Sequence, residues 1–266
     1  MNVARIIRNV NRTPEVFVAG KRTPAYGQLL MRYLGIGSRP YPFEVPLKSG
    51  GSLTLASTEE VKVFWNVIVR RSYVLPAQCE TILDCGANVG IFSVWAAAEK
   101  PQARIIALEP FPETFAALQA NIRRNLLASR VECAQLGLAS HAGEVLMRTE
   151  GESPNRRMML DEDAEVKDAT VAVPCLTLAA CLRRFDIDTL DMLKMDIEGS
   201  EWPVLLSTSP CVLRRIRYIQ VEYHEVAARF GYTPARLFSH LAAAGHRLTF
   251  RIEDRFRTGM AIFERP

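Results

Sequence analysis

Residues 81–90 read TILDCGANVG, and the step from an apolar run into Asp84, Gly86, Asn88 and Gly90 decides the fold. A run of five residues around Ile82 and Leu83 is too short for a stable helix and too apolar for a loop, so it forms a buried strand. The glycines after it let the backbone turn sharply and approach a ligand. A helix opening at about residue 89 presents free N–H groups, which favour a carboxylate or phosphate. The dinucleotide fingerprint G-x-G-x-x-G is not met, because Asn88 stands where the second glycine belongs and Ile91 where the third belongs. A nicotinamide cofactor is therefore disfavoured. Glu109, about twenty residues on, sits where an acid that binds ribose is expected.

Working outward, the same alternation repeats. An apolar run at 104–109 precedes a helix carrying Phe115, Leu118, Ile122 and Leu126, and 131–138 reads as a third strand. Further buried strands at 190–195 and 216–221 are separated by helical segments. Strands alternating with helices of this length imply a doubly wound α/β fold, a mainly parallel sheet covered on both faces. Thr233 and Pro234 open one more helix and Gly245 stops it. Runs at 247–252 and 259–264 then form an antiparallel hairpin at the sheet edge.

Before residue 76 the text differs. Val3, Ile6, Ile7 and Val10 share one face of a short amphipathic helix. Prolines and glycines interrupt 13–46 everywhere except a possible helix at 26–33. Runs at 43–47 and 53–56 flank Ser49, Gly50 and Gly51 as a hairpin, and 58–71 reads as a helix. The expected organisation is an N-terminal extension, 1–75, covering an acceptor site, and a main domain, 76–266. Residues 150–168 follow neither period and form a loop, either a lid or an insertion.

Composition bounds the function. The 266 residues are 48% hydrophobic and 23% charged, with a formal net charge of +4, as in ordinary globular proteins and unlike disordered or collagen-like chains. The arginines are dispersed over several elements, so nucleic-acid binding is permitted but not indicated. Six cysteines form neither a CxxC pair nor a zinc-spaced cluster, and read as reduced thiols. No stretch matches a membrane span or a secretory signal, and a cytoplasmic location is expected.

A second motif, Asp196-Ile197-Glu198-Gly199-Ser200-Glu201, follows the strand at 190–195, where open α/β sheets bind ligands. Three acids there are costly to desolvate without partners. Ser200 could cap the following helix with Glu201 near its positive end. Asp196 is placed to point into the crevice, and Glu222 and His224 end the next strand and could face the same space. The unperturbed pKa of histidine suits proton abstraction, so Asp196 or His224 is a candidate base, while Asp196 and Glu222 together could hold Mg²⁺.

The ordered blocks DCGANVGIFS (84–93), LEPFPETFAALQANI (108–122), LKMDIEGSEWPVL (193–205) and VEYH (221–224) resemble the FkbM-type family of S-adenosylmethionine-dependent methyltransferases. The resemblance spans 73–263. It implies a Rossmann-like class I methyltransferase sheet with a reversed last strand. It also implies that the methionine part of the cofactor lies against Asp84, Gly86, Asn88 and Gly90, with the ribose hydroxyls on Glu109. Phe111 would flank the adenine, and Gln135, Leu136 and Gly137 would lie near its edge. The expected reaction is O-methylation of a hydroxyl on a small molecule or glycan. Methylation of a nucleic-acid base is the alternative, although DIEG occupies the strand end where base methylases commonly place NPPY or DPPY. A cofactor-binding module without activity, acting through a partner enzyme, is a third reading.

Overall fold

The computed structural model describes residues 13–37, 39–148, 170–224, 231–253 and 259–266. Its centre is the strand–turn–helix around Asp84. β3 (Thr81–Cys85) leads through the glycine turn into α4 (Ile91–Glu99). β4 (Arg104–Leu108) follows, then α5 (Pro112–Arg124), which opens on a first-turn proline, and β5 (Val131–Ala134). β9 (Leu190–Met195), β10 (Ile216–Tyr223), β11 (Arg247–Glu253) and β12 (Gly259–Glu264) complete a seven-stranded sheet.

The order is β11-β12-β10-β9-β3-β4-β5, with β5, β4, β3, β9 and β10 parallel. β12 runs antiparallel between β10 and β11. This is the doubly wound sheet with a reversed last strand that the resemblance implies. The order turns back on itself between β3 and β9, which opens a crevice at their carboxyl ends.

Alternate residues of the central strands feed two cores. Ile82, Ile105 and Met192 enter the core on one face, and Leu83, Ile106 and Leu193 enter the other. Each such side chain contributes roughly 1.5–3 kcal/mol on burial, so the sheet's two apolar faces fix its place between the helical layers. α6 (Leu178–Arg184), α8 (Pro210–Leu213) and α9 (Pro234–Ala243) are held by the side-chain caps Thr177, Ser209 and Thr233, which accept from Ala180 N, Val212 N and Arg236 N. Gly245, at φ +92, ends the turn after α9.

The N-terminal region shares the first of these cores. α1 (Thr13–Arg22), α2 (Tyr26–Leu34), the hairpin β1 (Phe43–Pro46) and β2 (Ser52–Leu55), and α3 (Thr58–Phe64) contribute Ala19, Leu29, Val45, Leu55 and Phe64 beside Ile82 and Trp95. The hairpin is fastened to α5 by two asparagines one helical turn apart. Asn125 accepts from Ser52 N at 2.8 Å and donates to Ser52 O at 2.7 Å, and Asn121 accepts from Thr54 N at 2.9 Å. Their amides replace a neighbouring strand for β2.

Three elements differ from expectation. The helix expected over 58–71 is α-helical only to Phe64 and continues as a π-helical turn, Trp65–Val69, where the indole N–H of Trp65 donates to Glu15 at 2.6 Å. α1 was hidden by Pro14 and Gly20, although Pro14 falls in its first turn, where the missing N–H costs nothing. The strand expected at 131–138 breaks after Ala134. Gly137–Leu138 (β6) instead joins β7 (Gly143–Arg148) and β8 (Thr170–Leu176) in a separate three-stranded sheet, order β6-β8-β7. A Cβ at Gly137 would lie 3.0 Å from Cys175 Sγ and 3.2 Å from Met147 Cε, so the crossing suits glycine. The helix expected at 3–10 and the loop at 150–168 lie outside the described residues. Among the described residues, no helix is long and apolar enough to cross a membrane. All six cysteines are unpaired, and four are buried.

Candidate active site

The glycine turn after β3 is braced from three sides. Gly86 N and Ala87 N donate to Leu108 O at 3.1 and 2.9 Å, tying the turn to β4. Asn88, at φ +51, donates its backbone N–H to Glu109 Oε2 at 3.0 Å, and Phe111 N donates to Glu109 Oε1 at 3.1 Å. Beneath the turn lies a buried ion pair, Lys194 Nζ to Asp84 Oδ1 at 3.1 Å, with Ser93 Oγ donating to Asp84 Oδ2 at 2.7 Å. Lys194 also donates to Gly86 O at 2.8 Å. Burial works against the Lys194 charge, but Asp84 and then Asp196 outweigh it and hold its pKa above the usual lysine value.

A cavity opens above this turn. Gly86, Asn88, Glu109, Phe111, Leu136 and Gly137 line it. Asp84, Gly90 and Gln135 do not: Asp84 is sealed under the turn, and Gly90, at φ +87, faces Leu118, whose Cδ1 would be 2.7 Å from an added Cβ. Glu109 is 5% exposed, and burial pushes its carboxyl up to about 7 against the pull of the two backbone N–H groups. Gly86, at φ +74, is required by crowding, since a Cβ there would fall 1.9 Å from Asp196 O.

Alongside runs a wider cleft of about 900 Å³, walled by Lys62, Arg70, Val74, Phe250, Ile252 and Met260 among others. Both spaces are lined by Val63, Val67, Tyr73, Asp196 and Glu198, so they meet at the end of β9. Here Asp196, Glu198, Glu201 and Glu222 surround His224. Its Nδ1 lies 3.0 Å from Glu201 Oε1, and its Nε2 lies 3.4 Å from Glu198 Oε2 and 4.0 Å from Asp196 Oδ1. Glu201 opens α7 (Glu201–Ser207), is fully buried, and accepts from Ile197 N and Gly199 N at 3.0 and 2.7 Å. From the other side, Tyr73 places its hydroxyl 3.2 Å from both Asp196 Oδ2 and Glu222 Oε2.

Two expectations are corrected here. Burial alone would lower the His224 pKa, but the hydrogen bond and charge of Glu201, with Asp196 and Glu198, raise it to about 10. The ring is an imidazolium at neutral pH and has no lone pair with which to abstract a proton. Ser200 makes no side-chain cap bond; the buried Glu201 carboxylate satisfies the turn instead. Glu222 is raised to about 7, first by Asp196 and then by burial, and Glu198 to about 8, first by burial.

Sequence reasoning missed Lys194 and Tyr73. Lys194 left a signal, a cation inside the buried run LDMLKM, which demands an anionic partner. Tyr73 left none, since it meets Asp196 across 123 positions.

A sheet of this order, with a glycine turn and a buried acid at the switch point of its strands, defines a doubly wound, Rossmann-like α/β protein with a ligand crevice at the strand ends. The chain belongs to the methyltransferase FkbM domain family, whose model matches residues 84–251. Similar proteins include the 31-O-demethyl-FK506 methyltransferase FkbM of Streptomyces tacrolimicus, 29% identical over 60% of this chain and 72% of that one. Methyltransferase sdnD of Sordaria araneosa is 31% identical over 54% of this chain and 66% of its own length. The AMB antimetabolite synthetase AmbE of Pseudomonas aeruginosa is 29% identical over 68% of this chain, which spans only 10% of that synthetase.

Proposed function

We propose that the chain is an S-adenosylmethionine-dependent methyltransferase that methylates a hydroxyl on a small molecule or glycan. The observation that carries this reading is the meeting of two cavities at Tyr73, Asp196 and Glu198. One has the donor set for a nucleoside, and the other is wide enough for a drug-sized acceptor.

The residues above the glycine turn fit the cofactor. Each Glu109 oxygen accepts one backbone N–H and keeps a lone pair for a ribose hydroxyl. Phe111 offers an apolar wall beside Leu136 and Gly137, and Gly86 and Asn88 would hold the methionine end. Asp84 acts from below, through Lys194. S-adenosylmethionine supplies a methyl group on a cationic sulfonium, and a floor with more carboxylates than cations suits that charge.

Asp196 is the group placed to take the acceptor's proton, because of the two acids that line both cavities the other, Glu198, holds its own proton up to about 8. General-base assistance of this kind contributes roughly 10²–10⁴ in rate. His224, already protonated, restrains the acids around it and is not a base. The Tyr73 hydroxyl bridges Asp196 and Glu222, and Asp196 also lies with Glu201 and His224 in a group whose ligand atoms fall within 4.8 Å of one another, so the metal-free route through Asp196 is the one a chelator tests. Residues of the N-terminal extension, with Tyr73, Val67 and Lys62, form much of the cleft wall and serve as the acceptor's cover. Val74, Phe250 and Ile252, each more than half-exposed or nearly so, favour an acceptor with an apolar surface. The acidic floor repels a phosphate backbone, which argues against nucleic acid.

The test is transfer of labelled methyl groups from S-adenosylmethionine into a metabolite fraction, with total RNA and DNA alongside, at about 150 mM salt. Label in the metabolite fraction is expected. Saturable labelling of nucleic acid alone would overturn the acceptor class, and cofactor binding without transfer to any fraction would favour a non-catalytic module.

A further inference from the structure

We propose that Tyr73 couples Asp196 to Glu222 into one proton-accepting unit, so that the proton taken from the acceptor hydroxyl by Asp196 comes to rest on Glu222. This rests on the hydroxyl-methylation reading above and extends it to the fate of the proton.

The geometry is a single phenol oxygen 3.2 Å from two carboxylates. A phenol has one proton, so it donates to one carboxylate; the other is satisfied only when it carries a proton of its own and donates to the phenol oxygen. Tyr73 is 3% exposed and its ring is held edge-on by Phe92 at 5.3 Å, so the hydroxyl stays between the two acids. Burial, followed by Asp196 and Glu222, keeps the phenol itself from ionising. It can therefore only pass a proton, accepting one on oxygen while releasing its own.

The surroundings set the direction. Asp196 lines both cavities, whereas Glu222 lines the acceptor cleft alone. Facing the pair are Lys194 from β9 and, below it, Asp84 from β3. The turn after β9 contributes Glu198, α7 contributes Glu201, and His224 follows β10. Glu222 holds its proton up to about 7, chiefly because Asp196 is charged beside it, so a proton is retained on Glu222 more readily than on a free carboxylate.

The steps balance. The acceptor O–H bond breaks and its proton bonds to Asp196; the electron pair left on the acceptor oxygen forms the bond to the methyl carbon while the carbon–sulfur bond breaks, its electron pair staying on sulfur as a neutral thioether. Asp196 then gives the proton to the Tyr73 oxygen as the Tyr73 proton passes to Glu222 Oε2. Asp196 is again an anion, and Glu222 is neutral until it releases the proton to water in the cleft.

Tyr73 and Glu222 are positioning residues in this scheme, and their test needs readouts that folding alone would not move. The protonated-carboxyl infrared band of cofactor-free protein is titrated from pH 5 to 9 for wild type, Glu222→Gln and Tyr73→Phe, with Glu109→Gln as reference. Wild type should show carboxyls titrating near 7 from both Glu109 and Glu222, and Glu222→Gln should remove the Glu222 part of that band while leaving the part that Glu109→Gln removes. In Tyr73→Phe the Glu222 part should titrate at higher pH, because a hydrogen bond to the anion is gone. The wild-type pH–rate profile should rise with the same inflection as Glu222, and Glu222→Gln and Tyr73→Phe should both lose it together with about 10- to 100-fold in rate, with cofactor affinity unchanged in Glu222→Gln, whose side chain lines only the acceptor cleft. A band insensitive to both substitutions, or an unaltered pH profile in Glu222→Gln, overturns the coupled unit. An intact infrared result with no O-methylated product instead overturns the hydroxyl reading, and with it the proton's direction.

Discussion

Replacing Gly86 with Ala adds one carbon where the ends of β3 and β9 are closest. The new Cβ would lie 1.9 Å from Asp196 O and 3.0 Å from its carbonyl carbon. Relieving that overlap requires a shift of about 1 Å or more, well outside the soft part of a van der Waals contact. Neither side yields easily, because Asp196 N is bonded to Cys85 O at 3.1 Å and Lys194 is bonded to Gly86 O at 2.8 Å. The left-handed backbone at φ +74 costs an alanine about 1–2 kcal/mol, and overpacking costs about 1–3 kcal/mol. Together these give roughly 2–5 kcal/mol, or a fall in Tm of about 5–15 °C for a chain of this size. Displacing Asp196 by about 1 Å should cost turnover on the order of a hundredfold in whatever protein remains folded. Gly27→Ala is the control. It lies on the exposed face of α2 with nothing within 4 Å of the added carbon, and should gain about 0.5–1 kcal/mol. Scanning calorimetry of the three proteins decides it. A Gly86→Ala protein that melts within a degree or two of wild type would refute the reasoning.

Glu109→Ala should weaken S-adenosylhomocysteine binding by about ten- to a hundredfold through loss of charged hydrogen bonds, and calorimetry showing equal affinity would remove Glu109 from the site. Asp196→Asn should keep its cofactor affinity and lose roughly 10²–10⁴ in rate, while a chelator leaves wild type active; a rate within a few-fold of wild type, or inhibition by the chelator, counts against the base assignment. Folded Glu109, Glu198 and Glu222 keep protons to about 7, 8 and 7, above the usual 4.5, and His224 to about 10, above 6.5. The native state thus binds more protons than the unfolded one, so Tm of the cofactor-free protein should fall as pH rises from 6 to 9, and a rising Tm would contradict the assignments. Asn125→Ala should cost about 1–3 kcal/mol by leaving the Ser52 amide and carbonyl unpaired, an effect absent if denaturation midpoints match wild type.

The parallel sheet was legible because its strands are nearly unbroken apolar runs punctuated by caps and glycines, as at 81–90 and 233–245. The second sheet was not. Apolar residues do alternate at Val145 and Met147 and again at Val171, Val173 and Cys175, but the two stretches are far apart in sequence and only their pairing reveals a sheet. Continuity of 131–138 masked its break, since Leu136 and Gly137 look no different from strand residues until β8 takes Gly137 away.

Within the site, spacing identified the residues that belong to one motif, such as Gly86, Glu109 and Asp196. It left Asp196 and His224 open as the base, because a histidine's pKa is set by neighbours in space. Glu201, which raises it most, is 23 positions away in sequence. Tyr73 was invisible for the same reason: the N-terminal segment delivers it to the cluster by packing on Phe92, a contact without a local pattern.

In the proposed reaction Asp196 prepares an oxygen to receive the methyl group carried by S-adenosylmethionine. The most direct measurement is carbon NMR of the product formed from ¹³C-methyl S-adenosylmethionine and a metabolite extract, for wild type and Asp196→Asn. A new methyl signal in the methoxy region is expected for wild type, much reduced in the variant. A labelled methyl on nitrogen or carbon, or an equal methoxy signal from Asp196→Asn, would contradict it.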